Sequence, residues 1–350
     1  MKEGRINLYS DTQTRPTPGM REAIASALVG DEQSMSDPSV NRLCAQVAEL
    51  LGKQAAVFLP SGTMCNEIAI MVHCSPADEI YAHESAHITN FEGGGPSALA
   101  GAQICSLPGA RGIYTADALR NALRAPDNRY APRSRLVEVE QTANLPGGTV
   151  WSKQDLEAVV GVARDNNLVV HMDGARLPNA AVAAGVPMLE FAAYADTVWI
   201  DLSKGLGCPI GGVLAGSEAF IARAWRWKQR MGGAMRQAGM MAAAGSYALE
   251  HHFDRLADDH ANARRFGDII SACAGVQLTP ATVETNIVFF DISASGVSAR
   301  ALAAALEFRG INIGAFTDTA MRACTHLDVD AASVDEAANT LVEELDRLRA

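Results

Sequence analysis

No Cys-x-x-Cys pair occurs among the seven cysteines, which are scattered along the chain. That spacing argues against a disulfide framework and a structural zinc site, and it fits a reducing compartment, the cytoplasm. Cations are also scarce: 29 Lys and Arg stand against 40 Asp and Glu, a formal net charge of −11. Holding a phosphate backbone needs clustered positive charge, so no nucleic-acid partner is expected. No apolar run approaches the roughly 20 residues that span a bilayer, and no membrane partner is expected. Met1-Lys-Glu-Gly-Arg-Ile-Asn7 lacks the apolar core of a signal peptide. Repeats and low-complexity segments are missing too. What is present is ordinary for a soluble globular chain, 48% apolar and 20% charged. Its 350 residues exceed the usual size of one compact core, so two domains are expected.

Residues 1–17 read as an N-terminal arm, 18–250 as a large α/β domain and 251–350 as a smaller α+β domain. Helices are expected over Met20 to Leu28, Ser39 to Leu51 and Met64 to His73. From Ala55 onward, apolar strands alternate with helices: Ala55 to Leu59, Glu79 to Ala82, Gln103 to Leu107, Arg135 to Val139, Leu168 to Met172 and Thr197 to Leu202. Thr115 to Leu123 and Ser152 to Asn166 are helical stretches between them. Continuous apolar strands interleaved with helices indicate a mostly parallel sheet covered on both faces. Ala219 to Cys273 reads as largely helical, interrupted at Met231-Gly-Gly-Ala-Met235. Beyond Pro280, strands at Asn286 to Ile292 and Met321 to His326 combine with helices at Ala299 to Arg309 and Ser333 to Leu348.

The stretch Thr197 to Gly216 carries the first chemical signal. Lys204 follows one short apolar strand and precedes another, among glycines 205, 207, 211 and 212. Burying an ammonium favours the neutral, nucleophilic amine, and glycines let a flat ligand approach, which suits covalent amine chemistry. Taken alone, it also reads as a Gly-rich turn with a solvated lysine. Upstream, Leu168-Val-Val-His-Met-Asp-Gly-Ala-Arg176 is a strand ending in Asp173 and Arg176. A carboxylate at that end of a parallel strand points into the crevice where such sheets bind ligands. There it can keep a heteroaromatic nitrogen protonated, while Arg176 can bind a carboxylate. In Leu59-Pro-Ser-Gly-Thr-Met-Cys-Asn66 a strand runs into a helix, so Ser61, Gly62 and Thr63 offer an anion seat at a helix N-terminus.

His83-Glu-Ser-Ala-His87 spells the zinc-protease signature, but it follows a strand and runs into Glu92-Gly-Gly-Gly95 with no clear third ligand. No metal site is expected; His87 better serves as a flat ring stacked on an aromatic cofactor. Arg322, in the second domain, is a carboxylate partner if the fold brings it inward. Arg236 lies in a basic, Gly-interrupted stretch from Trp225 and can reach a phosphate across a subunit boundary.

In order and combination these residues resemble the L-threonine aldolase group of the β-eliminating lyases. The likeness spans almost the whole chain and includes Ser10 to Pro16, Asp37-Pro-Ser-Val-Asn41, Leu59 to Asn66, His87 with Phe91 to Gly95, His171 to Arg176, Leu202 to Gly207, Gly232 to Gln237 and Thr325-His-Leu-Asp328. The resemblance implies the aspartate-aminotransferase type of fold (fold type I) and pyridoxal 5'-phosphate as cofactor. It makes Lys204 the Schiff-base lysine, Asp173 the partner of the ring nitrogen and His87 the stacked residue. Gly62 and Thr63 become phosphate ligands, joined by Arg236 of a neighbouring subunit. Ser10, Arg176 and Arg322 hold the substrate carboxylate, and homotetramers built from dimers with shared sites are implied.

Two departures stand out. Where the family usually has a Tyr before the Asp-Pro dipeptide, this chain has Ser34; where it often carries a His, the run Thr142-Ala-Asn144 places Ala143. A family lysine is replaced by Gln229, flanked by Lys228 and Arg230. Losing bulk at 34 and 143 is expected to enlarge the pocket and favour phenylserine-like substrates. It also leaves the catalytic base open between His87 and a water. The implied reaction is retro-aldol cleavage of an L-β-hydroxy-α-amino acid to glycine and an aldehyde. Alternatives are β-elimination, aldol chemistry on serine or 3-hydroxyaspartate derivatives, and a cofactor-binding regulator without turnover.

Overall fold

A computed structural model describes residues 5–349; the first four residues of the expected arm lie outside the described residues. In chain order the strands are β1 (Ile6–Asn7), β2 (Ala55–Leu59), β3 (Asp78–His83), β4 (Gln103–Leu107), β5 (Arg133–Glu140), β6 (Val169–Gly174), β7 (Thr197–Asp201), β8 (Gly212–Gly216), β9 (Gln277–Leu278), β10 (Ile287–Asp291), β11 (Ile311–Asn312), β12 (Gly314–Ala315) and β13 (Ala320–Cys324). Seven of them form one sheet in the order β2-β8-β7-β6-β5-β3-β4. Its neighbours pair parallel except β8, which runs antiparallel to both β7 and β2. The reason is connection length: residues 202–211 are too few for a crossover helix, so the chain must turn back on itself. That turn carries Lys204.

Side chains of the central strands alternate between two cores, as the two-residue period of a strand requires. Val137, Val198 and Ile200 face one side, with the helices Pro38–Leu50, Lys153–Asp165 and Gly239–His251. Leu136, Trp199 and Leu214 face the other, with the helices Gly62–His73 and Glu218–Arg230. The helix Pro38–Leu50 starts where it should: Asp37 caps it, Pro38 follows, and Val40, Leu43 and Val47 at helical spacing are buried.

A third core gathers around the four-stranded sheet β12-β13-β10-β9, with Phe266, Phe290, Leu302, Met321 and Leu341. Leu8 belongs to it and is fully buried, and β1 pairs in parallel with β11. The described part of the arm is therefore anchored, and it then runs to the large sheet. Among the described residues no helix is long and apolar enough to cross a membrane.

Gly174 marks the tightest approach between β6 and β7: a Cβ there would lie 2.1 Å from the Trp199 carbonyl oxygen. Because backbone cannot swing aside, Gly174→Ala should destabilise the fold by about 1–3 kcal/mol, the scale of overpacking. A thermal melt checks this, and an unchanged midpoint would show that the two strands have slack.

Candidate active site

Glu140 and Asp173 stand in register at the C-terminal ends of β5 and β6, and Asp173 pairs in turn with Trp199 in the middle of β7. The loop after β3 brings His87 beside them, and the turn after β7 brings Lys204. They line a cavity of about 350 Å³ together with Gly62, Thr63, Asp201 and Arg176, and with Ser10 and Thr12 from the arm. Arg322 and Phe316 from the small sheet close the far side. So Lys204, Asp173, His87, Gly62, Thr63, Arg176, Ser10 and Arg322 meet in one place, from segments more than 300 residues apart.

Asp173 is buried. Its carboxylate accepts hydrogen bonds from Asn66 Nδ2 at 2.8 Å and from the Ala175 amide at 3.0 Å, which leaves lone pairs for a further donor. Asn66 is the hub beneath it. Its amide also donates to Glu92 Oε1 at 2.7 Å, while its carbonyl accepts from Trp199 Nε1 at 2.7 Å and His171 Nε2 at 3.1 Å. His87 donates from Nδ1 to the same Glu92 oxygen at 2.7 Å, with Nε2 on the remote side of its ring. Burial works to lower the His87 pKa, but the Glu92 hydrogen bond and the Asp173 and Glu92 charges together hold it above its ordinary value. His83 points elsewhere, to Ser85 and the Gly109 carbonyl, so the two histidines of His83-Glu-Ser-Ala-His87 do not share a helical face.

Lys204 Nζ lies 3.1 Å from Asp201, with its side chain largely buried. Helix Gly62–His73 begins at the pocket, and Ser61 caps it by accepting from the Met64 amide, which keeps Ser61 itself out of the wall. The Gly62 and Thr63 amides are the free donors of that first turn. Residue 62 has to be glycine, because a Cβ would sit 2.2 Å from the Trp199 ring.

The two arginines differ. Arg176 is fully engaged on one edge, with Nε and Nη2 held by Asp11 at 2.8 and 2.7 Å. This buried pair pulls the Asp11 carboxyl well below the carboxylate range despite the opposing effect of burial. Only its Nη1 edge remains for the cavity. Arg322, 8% exposed, has no carboxylate partner among the described residues. It donates weakly to Asn144 Oδ1 and the Tyr9 carbonyl, each at 3.2 Å, and lies over the Phe316 ring at 4.6 Å. A buried guanidinium whose hydrogen-bond partners are neutral is suited to bind an anion.

Neither Ser34 nor Ala143 lines this chain's own cavity, so the enlargement expected from them does not arise within one chain. Ala143 is buried with its methyl toward Gly112, and Ser34 is exposed and bonded to Ser36 and Asp31. Asn144, Phe91 and Phe316 bound the open side instead. Lys228 does not stand in for the lysine missing at 229: it is fully buried and paired with Glu32 at 2.8 Å. Arg236 lies outside its own chain's cavity, two-thirds exposed, and pairs with Asp31 at 2.9 Å.

Sequence reading missed Asn66, Glu92 and Glu140. Glu140 accepts from the His87 and Asn144 amides at 2.8 Å, and burial, then the Asp173 charge, pushes it up to about 7. The alternation Glu138-Val-Glu140 along an apolar strand was the available signal, since acids on a buried face need a reason.

With this geometry in place, the comparisons are decisive. The beta-eliminating lyase family model matches residues 7–293. The chain belongs to the beta-eliminating lyase family. It is 38% identical over 334 residues to a low specificity L-threonine aldolase of Escherichia coli (strain K12), covering 95% of this chain and 97% of that protein. Similarity to low-specificity L-threonine aldolase 1 of Arabidopsis thaliana is 36% over 333 residues, covering 94% and 93%. Among solved structures, a threonine aldolase from Leishmania major superposes with a TM-score of 0.82 at 21% identity, covering 99% of this chain and 100% of that one. A Sphingomonas wittichii serine palmitoyltransferase gives 0.79 at 17%, covering 98% and 88%. Those structures share the fold of this chain.

The raised acids give this protein a pH signature. Glu140 (about 7) and Glu67 (about 8) keep protons in the folded chain that the unfolded chain has released, each mainly because of burial. Their contribution is thus complete below the ordinary glutamate value and is lost as pH rises through about 7 and about 8. Thermal midpoints should fall between about pH 5 and 8, less steeply in Glu140→Gln; parallel curves for the two proteins would refute the assignment to Glu140.

Proposed function

We propose that the protein is an L-threonine aldolase of low specificity, a carbon–carbon lyase that cleaves L-β-hydroxy-α-amino acids to glycine and an aldehyde with pyridoxal 5'-phosphate. The observation that carries this reading is one cavity holding a strand-end lysine, a buried aspartate and an arginine without an acid partner. The residues fit the cofactor. Lys204 would hold it through its amine, Asp173 retains lone pairs that would face its ring nitrogen, and the Gly62 and Thr63 amides would suit its phosphate. When bound, the cofactor serves as the electron sink that lets a bond at the α-carbon break.

The chain's own groups decide which bond that is. Arg322 and Ser10, beside the Nη1 edge of Arg176, hold the substrate carboxylate and so fix the rotation about the α-carbon. His87 and Glu140 share the wall on the other side. Glu140, near neutrality, suits removal of the β-hydroxyl proton, and His87 gives and takes protons from Nε2. Asn66 keeps Asp173 and Glu92 in place beneath. Phe91 and Phe316 face the substrate's side chain with apolar surface, which supports tolerance for alkyl and aryl groups.

Arg236, outside its own cavity but beside the 31–37 loop, suits a homotetramer of dimers in which this loop reaches a neighbour's phosphate seat. The protein works in the cytoplasm in this reading, in keeping with its seven free cysteines.

The purified protein should be yellow and bleach with borohydride, and Lys204→Ala should lose both properties with its activity. Arg322→Ala should lower kcat/KM by about 10- to 100-fold, the loss of a charged hydrogen bond. Glycine and aldehyde must form in equal amounts. A colourless protein that takes up no added pyridoxal phosphate would sink the proposal.

A further inference from the structure

Directly behind His87 sits a pair of acids for which the reaction so far has no use. Glu92, with its side chain fully buried, uses Oε1 to hold His87 Nδ1 and Asn66 Nδ2, but its Oε2 meets no donor. Glu67, on helix Gly62–His73, is 2% exposed, and both of its oxygens are buried without a partner. The two carboxyls lie within hydrogen-bonding reach of each other. Gly95 makes room for them, since a Cβ there would fall 1.8 Å from Glu67 Oε1. Buried oxygens with no donor are expensive, and two ionised carboxylates in contact more so. A single proton between them removes both penalties.

We propose that Glu67 and Glu92 form an acid pair holding one proton, with Glu67 donating to Glu92, and that this pair positions His87 with Nδ1–H on Glu92 and Nε2 toward the cavity. Glu67 is thus a positioning residue acting through Glu92. The charged groups that face the pair are His87, hydrogen-bonded to Glu92 from its own loop, and Glu138 from the sheet, with Asp173 on the other side of Asn66 and Lys204 beyond His87. With one proton held, the pair carries a single negative charge, enough to orient the imidazole. Without it, a second charge would be added next to Asp173. Burial and the Glu92 charge push Glu67 up to about 8, so the proton stays in place at neutral pH.

The pair rests on the burial of Glu67 and Glu92 and the room left by Gly95, while its effect on turnover rests on the aldolase reading; the experiment separates them. An infrared difference spectrum of the holoenzyme, wild type minus Glu67→Gln, should show the carbonyl band of a protonated acid at neutral pH, fading as pH rises through about 8. Nitrogen-15 NMR of labelled histidine should find His87 protonated at Nδ1 in both proteins and altered in Glu67→Leu, which offers Glu92 no donor. Turnover of threonine should drop about tenfold in Glu67→Leu with KM little changed, the loss of one buried hydrogen bond. Glu67→Gln, whose amide still donates, should recover most of it while losing the titration near pH 8 from its kcat profile. Absence of the infrared band, or a His87 signal indifferent to Glu67→Leu, would overturn the proposal whatever the activities show.

Discussion

The buried ion pair between Asp11 and Arg176 is the contact on which the rest of the site depends. Asp11 belongs to the arm, Arg176 follows β6 of the large sheet, and Asn286 of the small sheet donates to the same carboxylate at 3.0 Å. One carboxylate thus ties three separate parts of the chain together, in a dry environment where removing a partner leaves an uncompensated charge. It also decides which arginine is available. By occupying Arg176, Asp11 leaves Arg322 as the guanidinium without an acid, and it fixes Ser10, its chain neighbour, beside the cavity.

Beneath the cavity the protein has concentrated acids: Glu67, Glu92, Glu138, Glu140 and Asp173 are all buried. Such a basin is tolerable only if most of its members are neutral or hydrogen-bonded. Burial chiefly, then the Asp173, Glu140 and Glu92 charges, raises Glu138 well above its ordinary value, which favours its neutral form. Glu140 holds two amides, and Asn66 supplies its two N–H groups to Glu92 and Asp173. The result is a negative charge confined to the floor of the pocket, with cationic groups on its rim.

Much of this was legible in the sequence. The strands of the large sheet fall within a residue or two of their expected positions, because apolar runs bounded by Gly and Asp leave little choice. Lys204, Asp173 and the Gly62 turn were readable because each sits where a strand gives way to a loop. What stayed hidden depends on contacts between distant segments. Nothing local to Arg176 shows that Asp11 will claim it, and nothing local to Ala143 says that its methyl turns toward Gly112. The direction of β8 followed from the length of the 202–211 connection, but the parallel pairing of β1 with β11 had no local sign at all. Asn66 read as one more residue of an apolar helix, and its role emerges only when His171, Trp199, Glu92 and Asp173 converge on its side chain.

That pairing of β1 with β11 sets an order of events during synthesis. Once Ile6 and Asn7 have left the ribosome, their partners Ile311 and Asn312 come some 300 residues later, roughly 15–60 s at ordinary elongation rates. Throughout that interval Leu8 has no core to enter, and the arm cannot settle Ser10 and Asp11 in place. The large sheet is complete by Gly216, well before Arg322 is made. A nascent chain can therefore have its central sheet and the turn that carries Lys204 while the arm and Arg322 are still unplaced.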